Sequence, residues 1–206
     1  MPDLDEILDA APVIPVLVMD DARTALPVAR ALVAGGLPVL EVTLRTPAAL
    51  AIIRAMREVP GAIVGAGTVL DPAMLDAAID AGAQFAVSPG LTDSLARAAA
   101  TAPIPLLPGV ATASEVMRAR DHGFSRLKFF PATASGGLPA VKAFASVFGG
   151  LRFCPTGGIT QDNAPDWLAI PAVACIGGTW LVPPCDSPDP AAIEQRARAA
   201  AALKKD

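Results

Sequence analysis

The sequence has no tyrosine, one histidine and only three cysteines, and each shortage removes a class of chemistry. A single histidine, His122, excludes a His-rich metal site, although an all-carboxylate magnesium site would need none. A Ser-His-Asp triad would have to use His122, which lies in Arg120-Asp121-His122-Gly123. That reads as the polar tail of a helix ahead of its glycine stop, facing the negative end of the helix dipole. Cys154, Cys175 and Cys185 are spaced by 21 and 10 residues and match no zinc pattern. Such an odd, sparse set suits a reducing cytoplasm better than a secreted disulfide framework.

Charge is also thin. Only 17% of residues are charged, with 16 Lys+Arg against 20 Asp+Glu and a net charge of -4. A nucleic-acid binder shows a basic excess, so no nucleic-acid partner is expected. No membrane partner is expected either. The longest uncharged stretch, 167–185, has 19 residues but holds Pro171, Gly177-Gly178 and Pro183-Pro184, and no spanning helix runs through those. The first residues, Met1-Pro2-Asp3-Leu4-Asp5-Glu6, are acidic where a secretory signal would be basic.

Hydrophobic residues make up 53% of the 206, enough for a substantial core. Short apolar runs at 13–18, 39–43, 62–66, 84–87, 105–107, 126–129, 152–154 and 172–176 read as strands. Helical patterns alternate with them at 21–34, 47–58, 72–81, 92–100, 114–122, 138–148, 162–168 and 189–202, with an extra helix at 3–11. Pro47 and Pro72 sit in first turns behind the N-cap candidates Thr46 and Asp71, while Gly35, Gly82 and Gly123 read as helix stops. Eight strand-helix units with no linker predict an α/β fold: a TIM (β/α)₈ barrel with an extra N-terminal helix, one domain over 1–206. A doubly wound open sheet is the alternative, but the first strand runs into Val18-Met19-Asp20-Asp21 and lacks its glycine-rich turn.

In such a barrel the reactive face lies at the C-terminal ends of the strands. Lys128 stands inside an apolar strand beside Leu127, Phe129 and Phe130, whereas Lys142 sits in a helix and Lys204 and Lys205 in the tail. Alternation turns Lys128 inward if Phe129 packs outward. Burial disfavours an ammonium, and a neutral amine is the nucleophile that condenses with a ketone. A structural ion pair with Glu41 is the competing reading. Glu41 is the one glutamate embedded in a strand-like run, sharing a face with Val39 and Thr43, and is the leading candidate for acid/base work.

Arg45, just past the second strand, suits a carboxylate, with Thr68 offering a hydroxyl to the same anion; a solvated loop cation is the plainer alternative for Arg45. Gly157-Gly158 and Gly177-Gly178-Thr179 follow the last two strands, where barrels often bind phosphate, though glycines also serve tight turns. The implied ligand has a carboxylate at one end, a phosphate at the other and a carbonyl between.

At these residues the chain resembles the 2-keto-3-deoxy-6-phosphogluconate (KDPG) and 2-keto-4-hydroxyglutarate (KHG) aldolase family. The matching segments are 31–36, 39–46, 64–69, 84–92, 105–110, 127–132, 153–159 and 175–182. Lys-Phe-Phe-Pro-Ala followed by Pro-Thr-Gly-Gly-Ile is specific to it. The resemblance implies a class I aldolase working through a Schiff base without metal or cofactor. It gives Lys128 the Schiff base, Glu41 the proton transfers, and Arg45 and Thr68 the pyruvate carboxylate. Pro89 would lie near the pyruvyl group, Thr156 near the C4 hydroxyl, and Gly157, Gly158, Gly178 and Thr179 at the phosphate. Two residues depart from the common pattern: Thr179 stands where many relatives have serine, and Thr133 where many have glutamate. The resemblance also implies pyruvate and glyceraldehyde 3-phosphate as products, a homotrimer and a place in the Entner–Doudoroff pathway. Three competitors remain: the galactonate-specific sister aldolase, a phosphosugar isomerase or epimerase, and a silent barrel that only binds a phosphorylated metabolite.

Overall fold

The computed structural model describes residues 2–183 and 188–203, so Cys185, Lys204 and Lys205 lie outside the described residues. The chain opens with α1 (Leu4–Asp9), β1 (Val13–Leu17), a 3₁₀ turn (Ala22–Thr24), α2 (Ala25–Ala34), β2 (Val39–Thr43) and α3 (Ala49–Met56). Then come β3 (Ile63–Gly67), α4 (Pro72–Asp80), β4 (Ala86–Val87), α5 (Asp93–Ala99), β5 (Leu106–Leu107) and β6 (Gly109–Val110). The last third holds α6 (Ala113–Asp121), β7 (Arg126–Phe129), α7 (Gly137–Val147), β8 (Arg152–Pro155), α8 (Ala164–Leu168), β9 (Ile176–Gly178) and α9 (Pro190–Ala201).

All named strand pairs are parallel, in the orders β5-β4-β3-β2-β1-β9 and β6-β7-β8. Two junctions close the ring. The chain steps from β5 to β6 through Pro108, and bridges Phe153–Val173 and Thr156–Gly177 join the two sheets on the other side. The expected barrel results, its fifth position split in two because proline offers no N–H to a ladder.

Strand alternation sorts the side chains into two cores. Leu40, Val42, Val64, Leu127, Phe129 and Phe153 point outward under the helices. Ile14, Val39, Phe85, Val87, Leu107 and Cys154 fill the lumen, and α1 adds Ile7 and Leu8 to that inner cluster. The extra helix is thus a plug in the N-terminal end of the barrel. Its polar face is tied to the strand starts: Arg126 Nη2 donates to Asp5 Oδ2 at 2.8 Å and Arg152 Nη2 to Asp9 Oδ1 at 2.6 Å.

Arg126, and behind it Arg152, holds the Asp5 carboxyl below the usual carboxylate range. A depressed carboxylate stabilises the folded state above its unfolded-state value, and that contribution vanishes as pH falls through the folded-state value. Acidification below about pH 4 is therefore expected to loosen the plug first. Hydrogen exchange should show α1 amides losing protection before those of β2 and β3, and Asp5→Asn should show the same loosening at neutral pH. Equal protection of α1 and the strands on acidification would contradict this.

Local differences from the sequence reading have physical causes. Asp71 does cap α4, but α3 begins after Ala48 with no side-chain cap; the Thr46 hydroxyl instead donates to the Met19 carbonyl at 2.6 Å. The last strand lies at 176–178, further on than its apolar run, because pairing with β1 starts where Ile176 meets Val13. Hydrophobicity marks burial there, whereas the ladder needs only backbone.

Candidate active site

Phe129 packs outward, edge-on to Phe144 with ring centroids 5.9 Å apart, which turns Lys128 into the lumen. Across the barrel Glu41 sits with Val39 and Thr43 on the inner face of β2. Lys128 Nζ donates to Glu41 Oε1 at 3.1 Å, the two residues being 6% and 4% exposed. The Phe130 ring lies 5.4 Å from the same nitrogen. The nucleophile and ion-pair readings of Lys128 thus coincide in one contact. The pair lines a cavity of about 300 Å³ at the C-terminal ends of the strands.

Glu41 fits only because its neighbour is small. Thr43 pairs with Gly67 on β3, and a Cβ at position 67 would fall 2.3 Å from Glu41 Oε1. The hydroxyl of Thr43 donates to the Leu17 carbonyl at 2.9 Å, tying β2 to β1 beside the pair.

The cavity has two distinct ends. Arg45, Thr68 and Pro89 line one of them. Arg45 has no ion-pair partner among the described residues, so its charge is available to an anion. Thr68 is held at φ +60°, unusual for a β-branched residue, by flanking bonds from Leu44 N to Gly67 O (2.8 Å) and from Val69 N to Val87 O (3.1 Å). Thr156, Gly157, Gly158, Ile159, Gly177 and Thr179 line the other end. Among the described residues the N–H groups of Gly158, Ile159 and Thr179 find no acceptor, which leaves a cradle of donors for an anion. The Thr156 hydroxyl is buried and likewise lacks a partner there.

The structure therefore gathers Lys128, Glu41, Arg45, Thr68, Pro89, Thr156, Gly157, Gly158 and Thr179 around one cavity. Gly178 is the exception. It faces Trp180, whose ring would lie 2.2 Å from a Cβ there, and Gly177 takes its place in the wall. One step along a strand changes faces, and a Gly-Gly pair carries no pattern that says which member turns inward. His122 caps α6 and meets Asp93 Oδ1 at 3.1 Å, away from the cavity lining. Sequence reasoning missed Gly67, whose signal is its position opposite Thr43. It named Thr133 only as a departure from the family pattern and missed Asn163: behind the cradle the Thr133 hydroxyl donates to the Gly157 carbonyl at 3.1 Å, and Asn163 Nδ2 to that of Gly158 at 3.2 Å.

Comparison with known proteins shows the family. Residues 4–196 match the family model described as KDPG and KHG aldolase. The 2-dehydro-3-deoxy-phosphogluconate aldolase of Zymomonas mobilis is 56% identical over 205 residues, covering 100% of this chain and 98% of its own. The crystal structure of the Zymomonas mobilis ZM4 aldolase with 3-phosphoglycerate superposes with a TM-score of 0.96, covering 98% of this chain and 97% of that one. KDPG aldolase from Legionella pneumophila, with pyruvate captured at low pH as a covalent carbinolamine intermediate, is 43% identical with a TM-score of 0.91. That match covers 96% of this chain and 98% of the other. With the family match running nearly end to end, this chain belongs to the KDPG and KHG aldolase family.

Proposed function

We propose that the protein is a class I aldolase of the Entner–Doudoroff pathway that cleaves KDPG to pyruvate and glyceraldehyde 3-phosphate through a Schiff base on Lys128, and that it also accepts 4-hydroxy-2-oxoglutarate. The observation that carries the reading is the buried Lys128–Glu41 contact at 3.1 Å, lying between a cationic end and a backbone-donor end of one cavity.

Each step uses a group already in place. Lys128 gives up its proton to Glu41 and its neutral amine adds to the C2 carbonyl, forming a carbinolamine. Glu41 returns the proton to the departing hydroxyl, water leaves, and an iminium forms. Arg45 and Thr68 hold the C1 carboxylate meanwhile. Glu41, directly or through water, then takes the C4 hydroxyl proton. The C3–C4 bond breaks toward the iminium and glyceraldehyde 3-phosphate departs. Protonation of the enamine at C3 and hydrolysis release pyruvate and the free amine. Thr156 would donate to the C4 oxygen and favour the gluconate epimer, a reading checked by comparing cleavage of the two C4 epimers.

The reading extends to a single domain over 1–206, a homotrimer and a cytoplasmic location. Strands from both ends of the chain share one barrel, Met117 and Val147 expose apolar surface that a subunit contact would cover, and cysteines are few. No helix among the described residues is long and apolar enough to cross a membrane. Size-exclusion chromatography with light scattering reads the oligomer.

The decisive experiment is incubation with pyruvate and borohydride, digestion and mass spectrometry. A reduced adduct on Lys128 is expected. An adduct on Lys142 or the tail, with Lys128 unmodified, would reject the assignment. A second test uses the strain at Thr68, which costs about 1–3 kcal/mol. Glycine relieves it but adds unfolded-state freedom worth about 0.5–1 kcal/mol. Thr68→Gly is therefore expected to match or exceed the parent in denaturant midpoint while its KM rises, since the carboxylate loses a hydroxyl. A destabilised variant with unchanged KM contradicts both halves.

A further inference from the structure

We propose that Thr133 and Asn163 are positioning residues that aim the N–H groups of Gly158 and Ile159 at the phosphate of the substrate. The inference rests on the phosphate-site reading above. In a trans peptide the carbonyl and the following N–H point from opposite edges of one plane, so fixing one direction fixes the other. The Gly157 carbonyl accepts from both Thr133 N and Thr133 Oγ1, each at 3.1 Å. The Gly158 carbonyl accepts from Asn163 Nδ2 at 3.2 Å. Asn163 is itself oriented, because its Oδ1 accepts from Thr160 N at 2.9 Å and its own N–H donates to Thr160 Oγ1 at 3.4 Å.

Opposite these two clamped carbonyls lie the N–H groups of Gly158 and Ile159, both without an acceptor among the described residues and both in residues lining the cavity. Gly157 and Gly158 stand at φ +103° and +75°, where no side chain of their own restrains the backbone. A glycine pair left alone would sample many peptide orientations. The clamps select one. Thr133 is also closely fitted, since a Cβ at position 158 would fall 2.4 Å from its Oγ1. Neither Thr133 nor Asn163 lines the cavity, so each acts through the backbone alone.

The test compares Thr133→Val, Thr133→Ser and Asn163→Ala with the parent on KDPG, on 4-hydroxy-2-oxoglutarate, which has no phosphate, and in inhibition by inorganic phosphate. Thr133→Val and Asn163→Ala should each raise KM for KDPG about tenfold and weaken phosphate inhibition by a similar factor. Their kcat/KM on 4-hydroxy-2-oxoglutarate should fall less than about twofold, and Thr133→Ser should recover the parent KM. Equal losses on both substrates, or unchanged phosphate inhibition in both variants, would overturn the clamp. If the parent itself shows no inhibition by phosphate, the phosphate-site reading fails instead.

Discussion

Lys128→Arg is expected to abolish aldol cleavage while leaving the barrel folded. Arginine stays charged at any working pH and cannot form the imine. The loss should be on the order of 10⁴-fold or more in kcat, because the covalent route disappears and is not merely slowed. The choice of replacement matters as much as the position. Glu41 is 4% exposed and its carboxylate is paired with Lys128. Removing the cation altogether would strand a buried charge at a cost of about 3–5 kcal/mol, so an inactive Lys128→Ala would not separate lost chemistry from lost folding. Arginine retains the partner. Circular dichroism and the thermal midpoint should stay near those of the parent, and borohydride trapping with pyruvate should yield no adduct at position 128. Retained cleavage in this variant would refute a covalent role for Lys128 whatever its geometry.

Lys128 and Glu41 were legible in the sequence because a charge inside a hydrophobic strand is rare, and alternation then names the face it occupies. Arg45, Thr68 and Thr179 were legible by position, at strand ends on the side of a barrel where ligands bind. What stayed hidden depends on three-dimensional neighbours. Gly67 looks like any strand glycine until register places it opposite Thr43 and beneath the Glu41 carboxylate. Thr133 and Asn163 lie 30 positions apart and meet only through the carbonyls of one loop. The inward turn of Gly177, the late start of β9 and the split at Pro108 are likewise set by backbone pairing, to which side-chain hydrophobicity is blind. Thr46 misled for a related reason. A hydroxyl before a proline has the sequence of an N-cap, but a better placed acceptor on the neighbouring loop, the Met19 carbonyl, claimed it.

The Glu41 position yields the second large effect. Glu41→Gln keeps the shape and a hydrogen bond but cannot take a proton, so kcat should fall about 10²–10⁴-fold with little change in KM. A change confined to KM would make Glu41 a binding group. Gly67→Ala should produce a loss of the same kind without touching either ionisable residue. Its methyl would fall 2.3 Å from Oε1 and 2.7 Å from Cγ of Glu41, so the carboxylate must leave its place beside Lys128. Two substitutions that break one contact should not add. The double variant Gly67→Ala/Glu41→Gln is therefore expected to be no slower than Glu41→Gln alone, within about threefold. Fully multiplicative losses would mean that Gly67 acts on something other than the carboxylate, and the account of how this glycine shapes the pair would fall.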